Sequence, residues 1–195
     1  MATIIGISGK IGVGKDYIAN AIATRIKIMR PDQPVLLIAF ADMLKMVCLL
    51  NDPSIEYEHV FGEKTEASRR ALQETGVSYR ERFGPNVWVR LLQYTIRMHA
   101  ERNKIGYFIV TDVRYPSEAR ALKEMGAMTV RIDAPDRNWT RLLANAGGDE
   151  EKAREFGKHS SEVDLDTYEE FDFVIDNRIG ASAIGVLLVL AHITK

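Results

Sequence analysis

The chain has 195 residues, 46% of them hydrophobic and 27% charged, with a formal net charge of −1. This length carries one substantial core and is short for two independent domains, and the near-neutral charge excludes a general nucleic-acid or membrane-surface binder. A single cysteine, Cys48, excludes an internal disulfide; set among Val47, Leu49 and Leu50, it reads as a core residue.

The first element is Ile4 to Ser8, a short apolar run with the character of a buried strand. Gly9-Lys10-Ile11-Gly12-Val13-Gly14-Lys15-Asp16 follows and fits the phosphate-loop pattern G-x-x-x-x-G-K, with Asp16 where Ser or Thr usually stands. Ile18, Ile22, Ile26 and Met29 then recur at helical spacing. Strand, loop and helix in this order suit a polyphosphate: backbone N–H groups wrap its oxygens, and the helix N-terminus adds positive potential. Gly9, Gly12 and Gly14 admit positive φ and close approach. Lys15 is placed to reach β- and γ-phosphates. Asp16, which has no hydroxyl to offer Mg²⁺, offers a carboxylate to the metal or to a metal-bound water. The dinucleotide fingerprint G-x-G-x-x-G does not fit, which argues against a Rossmann oxidoreductase.

Residues 31–34 (PDQP) form a turn, and Val35 to Ala41 is expected to be a second strand, apolar throughout as in a parallel sheet covered on both faces. A short helix is expected over Met43 to Leu50, broken by Asn51-Asp52-Pro53. Two more are expected over Thr65 to Glu74 and Asn86 to Glu101, with Gly76 and Gly84-Pro85 as punctuation. This helical insertion, about 42–102, holds Arg69, Arg70, Arg80, Arg82, Arg90, Arg97 and Arg102. Tyr107 to Thr111 is the third strand. It leaves Asp112 at its carboxyl edge, where open α/β sheets bind ligands and where a Walker-B acid stands. A helix from Pro116 to Met125, a strand from Met128 to Ile132 and a helix from Pro135 to Ala146 follow. Arg137 and Arg141 share one face of the last of these. A charged stretch runs to Lys158, and the segment near 136–160 is expected to be mobile. Phe173 to Ile175 is a fifth strand and Ala181 to Ile193 a closing helix, too short to span a bilayer. The N-terminus has no basic region before a long apolar run, so a cytoplasmic protein without a signal peptide is expected. The order of elements predicts a three-layer α/β fold with a five-stranded parallel sheet, in one domain. Its core is 1–41, 103–135 and 163–195, and its lid is about 136–162.

Six segments resemble the P-loop nucleoside monophosphate kinase group, and within it the bacteriophage-type deoxynucleoside monophosphate kinases. They are Ser8-Gly9-Lys10 with Gly14-Lys15-Asp16, Phe40 to Lys45, Arg70 to Gly76, Asn86 to Val89, Thr111 to Glu118, and His159-Ser160-Ser161-Glu162. The Ser-Gly-Lys-Asp loop is shared with animal-type phosphomevalonate kinases, and Tyr17 departs from the Thr or Ser of many relatives. The resemblance implies ATP, Mg²⁺ and γ-phosphoryl transfer to a deoxynucleoside 5′-monophosphate. It leaves open a related kinase with a phosphomevalonate-type acceptor, or a regulatory nucleotide-binding ATPase. No nucleic-acid polymer or membrane partner is expected; the apolar C-terminal helix either closes the core or pairs two subunits.

Phosphoryl transfer is mostly positioning and charge neutralisation. On that basis Gly9, Lys10, Gly12, Gly14, Lys15 and Asp16 hold ATP and the metal, and Lys15, Arg137 and Arg141 neutralise the transferring group. Lys45, Arg69 and Arg70 are candidates for the acceptor phosphate and Asp42 for orienting it. Gln73 is a candidate for a base edge. Trp88 either stacks on the base or fills the insertion's core, and Asp112 and Arg114 line the cleft. Gly147-Gly148 is a candidate hinge. Arg131, on a strand, requires a partner. His159 and Glu162 serve either a hinge or cap, or the substrate.

Overall fold

A computed structural model describes residues 2–178 and 182–193. It divides into two compact units, one of residues 1–38 and 100–195, the other Ala39–His99.

The first unit is built on strands β1 (Thr3–Ser8), β2 (Val35–Ile38), β3 (Tyr107–Val113), β4 (Met128–Asp133) and β5 (Phe173–Asp176). All pairings are parallel and the order is β2-β3-β1-β4-β5. The helices of this unit are α1 (Lys15–Met29), α6 (Pro116–Glu124), α7 (Pro135–Asn145), α8 (Glu150–Gly157), α9 (Ser160–Val163) and α10 (Ser182–Ile193). After β3 the chain passes β1 to reach β4, so the loop leaving central β1 lies at a switch point of the sheet's carboxyl edge, where such sheets bind ligands. One sheet face packs Ile5, Ile7, Ile109, Val130, Ile132 and Ile175 against α1 and α10. On the other face α6 comes so close to β1 that a Cβ on Gly6 would lie 2.7 Å from Leu122 Cδ1. Cover on both faces is why these strands are apolar without alternation.

The second unit holds α2 (Phe40–Asn51), α3 (Glu58–Phe61), α4 (Glu66–Phe83) and most of α5 (Val87–Arg102). Cys48 is fully buried against Val60 and Leu72.

The elements depart from expectation at places with physical reasons. The second strand stops at Ile38 instead of Ala41, because the Ala39 N–H donates to Asp42 Oδ2 at 2.9 Å and starts a helix at Phe40. Helix α4 runs on through Gly76 to Phe83: Gly76 is buried mid-helix, where an added Cβ would meet Arg80 and Leu44 only at ordinary contact distances of 3.6 and 3.8 Å, so it is not punctuation. Met29, expected on the apolar face of α1, is exposed; Ala19 and Ala23 take that face with Ile18, Ile22 and Ile26. The third strand extends to Val113, placing Asp112 within it. The charged stretch after Gly148 forms α8, N-capped by the Asp149 side chain accepting from the Lys152 N–H. Ala181, expected to open the closing helix, lies outside the described residues.

Candidate active site

The glycine loop joins β1 to α1. Gly12 and Gly14 have φ of +78° and +95°, and a Cβ on them would sit 2.5 Å from Arg141 Cβ and 2.6 Å from Asn177 Nδ2. Torsion and space therefore both demand glycine. The loop's carbonyls are engaged from within. Lys15 Nζ donates to Gly9 O and Lys10 O, both at 2.7 Å. Asn138 Nδ2 donates to Ile11 O at 2.8 Å, Asn177 Nδ2 to Val13 O at 2.7 Å, and Ile18 N to Gly14 O at 3.1 Å. With these carbonyls occupied, N–H groups and the amino end of α1 are what the loop offers a ligand. That is the polarity an anion needs.

The cations near the loop fall into two sets. Lys10 is paired with Asp166 (2.6 Å), Arg114 with Glu162 (2.6 Å), and Arg131 with Asp166 (2.9 Å) and Asp133 (3.0 Å). Arg131 thereby finds the partner its strand position requires. Among the described residues Lys15, Arg137 and Arg141 have no carboxylate partner. Arg137 donates only a long bond, 3.4 Å, to Asn177 O, and its guanidinium lies 3.1 Å from where a Gly14 Cβ would be. Burial pushes the Lys15 ammonium down from 10.5 to about 8, and repulsion by Arg114 adds to this; Glu162, Asp16 and Asp112 oppose it. At pH 7 it is still mostly a cation.

Asp16 is exposed on the first turn of α1, and Asp112 is half-buried near the end of β3. Both act on the Lys15 charge. Among the described residues no three His, Cys, Asp or Glu side chains gather into a metal cage. One or two carboxylates beside a phosphate loop is the donor set Mg²⁺ takes when phosphates supply further oxygens, so the residues present fit that ion.

The structure brings further residues to the loop; of these the sequence singled out only Glu162, as a hinge, cap or substrate residue. Asn177, 3% exposed, and Asn138 hold its carbonyls. Glu162 accepts from the Ile11 N–H at 2.8 Å, and Asp166 holds Lys10. Asn177 stands one residue past β5, so the carboxyl-edge argument applied to Asp112 points to it too. Asp166 had no such signal. His159 N-caps α9, its Nδ1 accepting from the Ser161 N–H at 3.2 Å.

In the second unit, Lys45 is partly buried, 3.2 Å from Asp42 and with its ammonium 4.7 Å from the Phe61 ring centroid. Arg69, Arg70 and Gln73 are exposed on α4, Arg70 near Glu66 at 3.9 Å. Trp88 is 4% exposed and stacked on Tyr79 with ring centroids 5.6 Å apart, on the core side of the alternative left open for it. Gly147 and Gly148 have φ of +69° and +89°, with nothing within 4 Å of an added Cβ.

No family model matches the chain. A protein of Acanthamoeba polyphaga mimivirus named "Putative deoxynucleotide monophosphate kinase" is 24% identical over 197 residues, spanning 89% of this chain and 88% of its own. TT1252 from Thermus thermophilus superposes with a TM-score of 0.57 at 23% identity, over 100% of this chain and 99% of its own. Shikimate kinases from Bacteroides thetaiotaomicron and Acinetobacter baumannii superpose with TM-scores of 0.51 and 0.52 at 13% identity, over 99% and 100% of this chain and 99% and 94% of theirs. The chain has the P-loop kinase-type fold, a five-stranded parallel sheet with flanking helices.

Proposed function

We propose that this protein is an ATP-dependent kinase that transfers the γ-phosphoryl group to a deoxynucleoside 5′-monophosphate. The observation that carries the reading is the charge distribution around the loop: among the described residues, Lys15, Arg137 and Arg141 lack carboxylate partners beside a loop whose carbonyls are engaged from within. The name of the mimiviral relative supports the acceptor class.

An oxygen of the acceptor's phosphate attacks the γ-phosphorus in line. The bond from the γ-phosphorus to the β–γ bridging oxygen breaks, and its electron pair stays on ADP. The loop's N–H groups and Lys15 hold the β- and γ-phosphates, while Arg137 and Arg141 neutralise charge on the group in transfer. Asp16 and Asp112 are the residues that would hold Mg²⁺ beside the nucleotide, and the ion would supply further charge neutralisation. In the second unit Lys45, oriented by Asp42, and the exposed Arg69 and Arg70 are the acceptor-phosphate residues, and Gln73 reads the base.

The test is a panel of deoxy- and ribonucleoside monophosphates, with phosphomevalonate, each incubated with ATP and Mg²⁺ and analysed for diphosphate by chromatography. Deoxynucleoside diphosphate formation that disappears in Lys15→Ala is expected. Transfer only to phosphomevalonate, or none with ATP bound, overturns the acceptor assignment.

A further inference from the structure

We propose that Glu162 is a positioning residue of the phosphate site: its carboxylate fixes the glycine loop through the Ile11 N–H and aims the Arg114 guanidinium. This rests on the kinase reading above and extends it.

The two oxygens are divided between two partners. Oε2 accepts from the Ile11 N–H at 2.8 Å and Oε1 from Arg114 Nη1 at 2.6 Å, with the Glu162 side chain only 8% exposed. A carboxylate placed so deep is costly unless both oxygens are satisfied, and here both partners belong to the site. Neutralising Arg114 needs one of them; the other is spent on the loop. Ile11 is the residue through which the loop is held. Its N–H goes to Glu162 and its carbonyl to Asn138, and its side chain packs against the cluster of Leu142, Ala146 and Ala153. Its neighbour Gly12 is in contact distance of Arg141.

The rest of the segment makes the same connection. Arg114 Nη1 also donates to Ser161 O at 3.3 Å. Four residues past Glu162, Asp166 takes Lys10 Nζ and Arg131 Nη2, and Arg131 Nη1 donates to Leu165 O at 2.6 Å. Residues 161–166 thus form a strap that meets the loop at consecutive residues, Lys10 and Ile11. It also meets arginines from the carboxyl ends of β3 and β4. Arg114 and Arg131 are held by the strap and so are fixed in place beside the loop.

The experiment compares Glu162→Ala, Glu162→Gln and, on the exposed side of the strap, Asp164→Ala. In ligand-free protein, hydrogen exchange at the Ile11 amide is read by NMR. Protection is expected in the parent and Asp164→Ala, with exchange about tenfold faster or more in Glu162→Ala while β1 stays protected. Glu162→Gln, with one oxygen for two donors, falls between. In steady-state kinetics Glu162→Ala loses about 10²-fold in kcat, with a smaller change in KM for ATP, as displacement of positioned groups does. The double variant with Arg114→Ala loses less than the product of the single losses, because Arg114 is already released. Unchanged Ile11 exchange in folded Glu162→Ala overturns the proposal, and so do fully multiplicative losses; if the Ala variant does not fold, Glu162→Gln carries both comparisons. Exchange is read without substrate, so a chain that phosphorylates nothing refutes the kinase reading while the Ile11 amide still decides on Glu162.

Discussion

Nucleotide binding should take up a proton, and the amount follows from Lys15. Its ammonium titrates at about 8 in the ligand-free site, chiefly because of burial. At pH 8.5 about three-quarters of the molecules carry it neutral, and at pH 7 about one-tenth, from that value. Phosphate oxygens favour the charged form and raise the titration again. Binding of Mg-ATP at pH 8.5 should therefore absorb about 0.75 proton, and at pH 7 about 0.1. Apparent affinity should fall about fourfold between pH 7 and 8.5 for the same reason. Calorimetric titration in two buffers of different ionisation enthalpy reads the uptake directly. In Lys15→Arg, whose guanidinium stays charged, it should vanish. No uptake at pH 8.5, or equal uptake in Lys15→Arg, refutes the reasoning. Stability carries the counterpart. Unfolded, Lys15 titrates near 10.5 and folded near 8, so below pH 8 both states are charged and the fold bears a cost of about 3 kcal/mol. Between 8 and 10.5 the unfolded chain binds more protons, so this contribution rises with pH, and above 10.5 the cost is gone.

Four further outcomes are expected. Asn177→Ala leaves the Val13 carbonyl without its buried donor and should cost about 1–3 kcal/mol, a fall in melting temperature of roughly 3–10 °C by calorimetry; no change refutes the bond's importance. Arg131→Ala, which leaves Asp133 without its partner and Asp166 with Lys10 alone, should lower stability, whereas Arg137→Ala and Arg141→Ala should leave stability within about 1 kcal/mol while abolishing turnover; equal effects on stability contradict the division of cations. Gly12→Ala, with φ of +78° and a Cβ 2.5 Å from that of Arg141, should displace α7 and lower both stability and nucleotide affinity, read by thermal shift with and without Mg-ATP. Burial pushes the Asp172 carboxyl up, but the Thr129 N–H and hydroxyl and Lys123 together hold it below 3.8. Its contribution is therefore present above that pH and lost as pH falls through its lowered value. Asp172→Asn should flatten the acid limb of melting temperature against pH, and parallel limbs would count against this.

The parallel sheet and the loop were legible because each rests on local chemistry. Apolar runs such as Tyr107 to Thr111 suit only a strand covered on both faces, and Gly12 and Gly14 occupy torsions that other residues resist. The strand-to-helix change at Ala39 was not legible, since it turns on one hydrogen bond that the Ala39 N–H donates to the Asp42 carboxylate. Gly76 was misread for a related reason: a glycine that ends a helix and one carried inside a helix are the same letter. The charged run 150–157 showed neither strand nor core periodicity. Its helix is held by Ala153 packing beside Leu142 and Ala146, contacts made across sequence. Within the site, the partners of Glu162 and Asp166 lie far away in the chain, 151 and 156 residues from Ile11 and Lys10 respectively. No spacing rule reaches that far; only topology brings them together.

The two loop lysines then separate by what holds them. Lys10 is paired at 2.6 Å with the Asp166 carboxylate, which also holds Arg131, so moving it gives up an ion pair. Lys15 is held by two neutral carbonyls, Gly9 O and Lys10 O. An ionised oxygen adds to a hydrogen bond from an ammonium a charge–charge attraction that a neutral carbonyl lacks, so a phosphate outcompetes those carbonyls while Asp166 keeps Lys10. The same comparison applies to the arginines. Arg114 is bound to Glu162 at 2.6 Å, whereas Arg137 has only a carbonyl at 3.4 Å. On the proposed function, a polyphosphate entering this site should recruit Lys15 and Arg137 and leave Lys10 and Arg114 in place. The acidic partners in 161–166 offset the charge of Lys10, Arg114 and Arg131, so the cost of concentrating positive charge at the loop falls on Lys15, whose titration burial pushes down.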